Sequence, residues 1–358
     1  MRNQLAEKLL IKIMEWSPQT TMKERPLLQA LSNFKYDEYQ QFSSGTRFIE
    51  SLVKWLRQFK SIDQRQIAYE FIKDHLIFIS QDQMVYLVNL TFTLRINPHL
   101  IKKCANESVN EYQVSKIVAS NVYKEVRRRS LFIGLSDGAR MDQLRRSAQL
   151  SNEQVILTYE IGKAKAQGLI KDLETEEYPG HFTSFFLIDD FTASGTSYFR
   201  LEGQEWKGKI WKTLNSLLVA GDLFDLANHD QPVEIHIMFY IATKSAIEKL
   251  DDRIVLWKEQ KGVSFNFTIE AVQIIDDDVR ENTIASFKFI ELAKDYLDSS
   301  IVNDHFKKAK HDNVHLGYDE CGLPLVLVHN TPNNSLPILW LPDDKKFTGL
   351  FPRVTRHK

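Results

Sequence analysis

The spacing of apolar and polar positions changes character near residue 130. Before it, the period is helical. Over 46–59, Phe48, Ile49, Leu52, Val53, Leu56 and Phe59 recur at 3.6-residue spacing, with Arg47, Glu50, Lys54, Arg57 and Gln58 elsewhere. Asp63 is placed to cap a following helix that carries Ile67, Phe71, Ile72, Leu76 and Ile79. The stretch 84–96 is apolar enough to be buried, and a further helix is expected over 110–128. Beyond residue 130, short apolar runs at 131–135, 185–188, 233–241 and 265–275 alternate with helix-like segments at 139–149, 206–227 and 243–260. That rhythm predicts βαβ units and an α/β fold with a mostly parallel sheet flanked by helices. From about 312 the pattern turns irregular, rich in Asn and Pro through HNTPNNSLPILWLP (329–342). The expected organisation has three parts: an α-helical N-terminal domain, 1–128, suited to packing or to a partner protein; an α/β core, 129–311; and a C-terminal segment, 312–358.

Composition narrows the classes. The chain has 358 residues, 43% hydrophobic and 26% charged, with a net charge of −1, so no global polycationic signature for nucleic acid exists. Cys104 and Cys321 are the only cysteines and form no CxxC pair, which argues against a disulfide framework and a zinc–cysteine site. The N-terminal stretch MRNQLAEKLLIKIMEW is amphipathic, contains Glu7 and Glu15, and is not read as a secretion signal. No apolar run reaches 18 residues, so no membrane span is expected, and a cytoplasmic location is the default.

The chemistry concentrates at LIDDFTASGTS (187–197). A buried strand ends on Asp189 and Asp190, and Thr192, Ala193, Ser194, Gly195, Thr196 and Ser197 follow. Small residues let consecutive backbone N–H groups turn inward as an anion nest, and the hydroxyls add donors. Carboxylates do the opposite work: they accept from sugar hydroxyls or hold Mg2+ directly or through its waters. A phosphorylated sugar lying across the loop satisfies both ends. A plain strand ending in two acids, followed by a turn and a Ser/Thr helix cap, is the alternative. A Walker-type reading is weak, because no GxxxxGK[ST] precedes the strand.

This stretch resembles the 5-phosphoribosyl-1-pyrophosphate (PRPP) signature of type I phosphoribosyltransferases. The resemblance implies that Asp189 and Asp190 are the ribose-binding and metal-binding acids, and that 192–197 is the 5′-phosphate loop. LFIGLSDGARMDQLRR (131–146), about fifty residues upstream, is similar in place and order to the family's pyrophosphate loop. Gly134, Ser136, Asp137 and Gly138 would form that turn. Arg140 would face the leaving group, with Arg145 and Arg146 on the next helix. Alone, SDGAR reads as an ordinary turn. The segment 160–183 occupies the position of the family's mobile catalytic loop, with Lys163 and Lys165 as candidates. Ala193 departs from purine-type members, which place an acid there; that fits an acceptor needing no such acid, or lost catalysis.

GYDECGLPLVLVHNTPNNSLPILW (317–340) is similar to the C-terminal signature of the phosphoribosyltransferase-like proteins of bacterial conflict systems, PRTase-CE. The joint resemblance covers roughly 130 to 358. It implies a type I phosphoribosyltransferase-like core with a C-terminal hood, and a role as an anti-phage effector. The activity would be displacement of pyrophosphate from C1′ of Mg2+-PRPP by a nitrogen nucleophile of an unknown nucleobase, nucleotide or RNA acceptor. The alternative is a sensor that binds PRPP or a nucleotide without turnover, as a regulatory subunit of a defence complex. His329, Asn330, Asn333, Asn334 and Trp340 have the chemistry to read a base, or to form Asx-turns and core. The run Lys124, Arg127, Arg128, Arg129 reads as a solvated helix end, and 276–278 as a charged loop.

Overall fold

The computed structural model describes residues 3–106, 108–174, 180–230, 232–302, 306, 312–342 and 345–353. Packing divides it into two compact units: Met1–Met84 with Asp277–Lys358, and Val85–Asp276.

The first unit opens with α1 (Asn3–Met14), α2 (Pro18–Phe34), α3 (Phe48–Arg57) and α4 (Ile62–His75), and then strand β1 (Ile77–Ile79). Helix α3 buries its apolar stripe, Phe48, Ile49, Leu52, Val53 and Leu56, together with Trp55. The cap of α4 is Ser61, whose hydroxyl accepts from the Gln64 amide at 3.2 Å. Asp63 lies in the first turn instead, where a carboxylate suits the positive helix end.

The second unit is entered along α5 (Gln81–Thr91) and continues through α6 (Asn97–Cys104), α7 (Val114–Val118) and α8 (Asn121–Arg128). One helix was expected over 110–128. The chain makes two, because Ser120 is extended and caps α8 by accepting from the Tyr123 amide. Strands β2 (Ser130–Gly134), β3 (Val155–Ile156), β4 (Ser184–Thr192), β5 (Arg200–Glu202), β6 (Glu205–Lys207), β7 (Val233–Thr243) and β8 (Phe265–Ile275) follow. Helices α9 (Met141–Ser147), α10 (Lys163–Leu173), α11 (Lys209–Leu218) and α12 (Lys244–Lys261) connect them. Five strands form one parallel sheet in the order β3-β2-β4-β7-β8. β4 is buried from Ser184 through Asp189, as a central parallel strand between helical layers must be. The hairpin β5–β6 was not expected; it takes the first two residues of the helix predicted over 206–227, which begins at Lys209 and ends at Leu218.

The arginines before β2 are not a solvated end. Arg127 donates to Ala148 O at 2.6 Å and Gln149 O at 3.0 Å, and Arg128 to Ser151 Oγ at 3.1 Å and Asp172 O at 2.9 Å. Arg129 donates to His181 O at 3.0 Å and to Glu125. Carbonyls at helix and loop ends lack intrahelical donors, and these guanidinium groups supply them.

The chain then returns to the first unit with α13 (Asp277–Ala285), α14 (Phe287–Asp295), β9 (Leu325–Leu327) and α15 (Pro337–Trp340). β9 pairs in parallel with β1, and Phe351 lies in ring contact with Tyr36, Tyr39, Phe42, Phe48 and Phe78. Trp55 Nε1 donates to Ile338 O at 2.8 Å, and Ser51 Oγ to Leu350 O at 2.6 Å. The C-terminal segment therefore completes a core begun by residues 1–84. Residues 85–128 belong with the sheet, so the chain is not cut at 128/129 or at 311/312 as the sequence suggested. The α/β fold and the mostly parallel sheet are as expected.

Candidate functional site

The chain runs from β2 out to β3 on one side and returns to β4 on the other. Strand order therefore reverses between β2 and β4, and a crevice at their carboxyl ends is where open α/β sheets hold ligands. Both motif loops leave the sheet at that reversal. Gly134 pairs with Ile188, and the Leu135 amide donates to Ile188 O at 2.9 Å.

Alternation along β4 sends the two acids to opposite faces. Asp189 is fully buried. Its Oδ1 accepts from Ser136 Oγ and from the Asp190 amide at 3.0 Å. Its Oδ2 accepts from Tyr198 OH at 2.9 Å and Lys209 Nζ at 3.1 Å. Burial and the adjacent Asp190 carboxylate push its pKa up to about 6, against the opposing pull of Lys209 and Ser136. Burial, then the same two carboxylates, raise the Tyr198 phenol well above its ordinary value. Asp189 is thus occupied by the protein and is not presented to a ligand as one of a matched pair. Asp190 is half-exposed and lies against the upstream loop. A Cβ at Gly138 would sit 2.5 Å from Asp190 Oδ2, so any side chain there has to displace that carboxylate.

Loop 192–197 is short and braced from beneath. Thr192 Oγ1 accepts from the Gly195 amide at 3.1 Å, and Thr243 Oγ1 donates to Ala193 O at 2.8 Å. Arg253 Nη1 donates to Ser194 O at 3.3 Å and Phe199 O at 3.0 Å. Gly195 adopts φ +69°, and a Cβ there would meet Leu250 Cγ at 2.8 Å. Gly195 O accepts from the Tyr198 and Phe199 amides. Among the described residues the amides of Ser194 and Ser197 have no protein acceptor. The Thr196 amide contacts Ser194 Oγ at 3.4 Å, and Ser197 is exposed. The main chain is fixed by donors aimed at its carbonyls, which leaves N–H groups for an anion.

In the upstream loop, Ser136 Oγ also accepts from the Gly138 amide at 3.2 Å, Asp137 is exposed, and Arg140 is left-handed at φ 46°, ψ 39°. For an arginine that conformation is strained, and its Nε is buried without a hydrogen-bond partner. Tyr240 OH donates to Ala139 O, and burial raises the phenol far above its usual range, with Asp189 and Asp190 adding to the shift and Arg140 opposing it. Arg140 also borders a cavity of about 570 Å3 with Asn89, Asp142, Gln143, Arg146 and Ser147.

The sequence model of the PRTase-CE family matches residues 52–353. The chain belongs to the PRTase-CE family. No curated protein and no solved structure matches it. This PRTase-CE chain is a phosphoribosyltransferase-like protein, and its match extends through both motif loops and both units.

Sequence reasoning named Gly134, Ser136, Asp137, Gly138 and Arg140 on one loop and Asp189, Asp190 and 192–197 on the other, and the PRTase-CE fold sets the two loops side by side. It missed Tyr198, Lys209, Tyr240, Thr243 and Arg253. Tyr198 directly follows the loop, where its hydroxyl could have been noticed; the other four lie outside the motifs, and only the fold brings them to the loops. Lys163 and Lys165 are exposed on α10, and 175–179 of that segment lie outside the described residues. The proposed base-reading residues of 329–340 sit in the first unit. Asn334 Nδ2 donates to Tyr318 O at 3.0 Å, and Trp340 is buried with Nε1 on Ser335 O at 2.7 Å, so neither offers a free edge or face. Asp277 and Asp278 stand in the first turn of α13, where acids suit the helix end.

Proposed function

We propose that this protein binds Mg2+-PRPP at the β2/β4 crevice and displaces pyrophosphate from C1′ with a nitrogen nucleophile, as an effector in anti-phage defence. The observation that carries the reading is the hinge between the two loops. Ser136, on the pyrophosphate-type loop, and Tyr198, at the end of the 5′-phosphate-type loop, donate to the same buried carboxylate, Asp189. Lys209, the first residue of α11, joins them. Asp189 is then a positioning acid and Asp190 the acid that meets the ribose diol. Thr192 to Ser197 receive the 5′-phosphate, and Gly134, Ser136, Asp137, Gly138 and Arg140 the leaving group. The C1′–O bond breaks as negative charge gathers on pyrophosphate, which fixed donors and Arg140 would stabilise. A C1′–N bond forms, and the proton of the nitrogen passes to solvent.

Among the described residues no cluster of three metal-ligating side chains occurs. One half-exposed carboxylate, Asp190, fits an ion that arrives on the ligand's phosphates rather than in a protein cage. Bound there, Mg2+ would neutralise charge on the pyrophosphate.

The test is pyrophosphate release from PRPP in the presence of cell metabolites and RNA, with a search for a mass gain of one ribosyl phosphate. The Asp190→Asn variant is expected to lose PRPP binding at least a hundredfold while keeping its thermal unfolding unchanged. Calorimetric affinity that is the same in wild type and Asp190→Asn would sink the assignment. A second reading is supported by the occupied Asp189 and by Ala193: a sensor that binds the ligand without turnover. Saturable binding without pyrophosphate release selects it.

A further inference from the structure

The cavity bordered by Arg140 has no place in the reading so far. Residues 134–138 and 189–197 do not line it. Its walls are α5, through Asn89, and α9, through Asp142, Gln143, Arg146 and Ser147, with Arg140 at the junction. Its volume, about 570 Å3, is that of a small-molecule site. Its donors suit an anion with a polar body. Arg140 is strained into the left-handed region and carries a buried Nε with no partner. With Nε buried, Arg140 meets the cavity through the rest of its side chain. Among the described residues Arg146 pairs with Asp142 alone, at 2.8 Å, through side chains that are 70% and 63% exposed. Such a surface pair contributes little and is readily exchanged for a phosphate. Gln143 and Asn89 meet at 3.4 Å and Gln143 Nε2 reaches Val85 O at 3.2 Å, which fixes two amide groups on the same wall.

We infer that this cavity is a second anion subsite that receives the phosphate monoester of the acceptor, so that the molecule modified is itself phosphorylated. The inference rests on the transferase reading for the word acceptor; the subsite stands on its own geometry. Arg140 would then border both the departing pyrophosphate and the acceptor phosphate, and the amides of Asn89 and Gln143 would meet the acceptor's polar edge.

The test is calorimetric titration of the full chain with inorganic phosphate and with 5′-AMP, adenosine serving as the ligand without the anion, each with and without saturating Mg2+-PRPP. With PRPP present, its own loops are filled, and phosphate and AMP are expected still to bind. Arg146→Ala and Gln143→Ala are each expected to weaken that binding about tenfold (~1.4 kcal/mol) and to leave PRPP affinity unchanged. Arg146 is exposed and Gln143 faces α5, so circular dichroism checks that each variant folds. Unchanged phosphate affinity in both variants, or adenosine binding as tightly as AMP, overturns the subsite. Failure of PRPP to bind wild type, with phosphate binding still sensitive to Arg146→Ala, removes the transferase reading and keeps the subsite.

Discussion

At the amino end of the parallel sheet, Lys103 donates to Thr183 O, Ser184 Oγ and Glu234 Oε2, and His99 meets Glu270 at 3.3 Å. The His99 ring packs on His236, which stacks on Phe186 and meets Thr268 Oγ1 at 2.9 Å. At the carboxyl end, Asp189 is a polar hub of similar density. The two differ in what they hold. The amino-end groups fasten one helix, α6, to three strands and are satisfied by one another. The partners of Asp189 lie on two loops and on the first residue of α11, beside Gly138, Gly195 and the left-handed Arg140. A cluster of charges is therefore no mark of a site by itself; the mark is a wholly buried carboxylate that steadies backbone with amides left over.

Breaking each hub should expose that difference. The largest effect belongs to Asp189→Ala, which strands the Ser136 and Lys209 donors, while Tyr198 OH keeps Phe191 O at 2.8 Å. Removing one partner of a buried pair costs about 3–5 kcal/mol, and urea unfolding measures it; a loss below about 1 kcal/mol would mean that the hub is not structural. Next comes pH. Burial first, then His99 and Lys103, lower the pKa of His236 from 6.5 to about 3. The folded protein thus resists a proton that the unfolded chain takes up near 6.5, so stability is full above that pH and declines as pH falls toward 3, by ~4 kcal/mol. His236→Gln should flatten this part of the profile, and an unaltered slope would remove His236 as its cause. Smallest in stability, though not in binding, is Gly138→Ala. Its methyl would need the space of the Asp190 carboxylate. PRPP affinity should drop about tenfold or more, with unfolding shifted by only ~1 kcal/mol. A binding isotherm identical to wild type would show that Asp190 has no fixed station.

The strands and the two loops were legible because each rests on local patterning: a continuous apolar run, then acids, then small residues. The alternating face of α3 was legible for the same reason. What could not be read is long-range. Nothing near Asp189 announces that Lys209, twenty residues on across an unforeseen hairpin, takes one of its oxygens. As a result, two acids that look equivalent in LIDDF are a buried hub and a half-exposed neighbour. The tail from 312 reads as irregular because its strand has three residues and its last helix four, yet Leu336, Leu339, Leu350 and Phe351 are wholly buried. Local periodicity needs longer elements than these to show.

The split first unit also sets an order of events during synthesis. Residues 1–84 cannot close their aromatic core until Phe351 and the strand at 325–327 leave the ribosome, whereas 85–276 have everything they need far earlier. The growing chain should therefore carry a finished sheet and a half-built bundle, and nascent chains arrested near residue 330 would be protease-resistant in the middle and cut readily at the start.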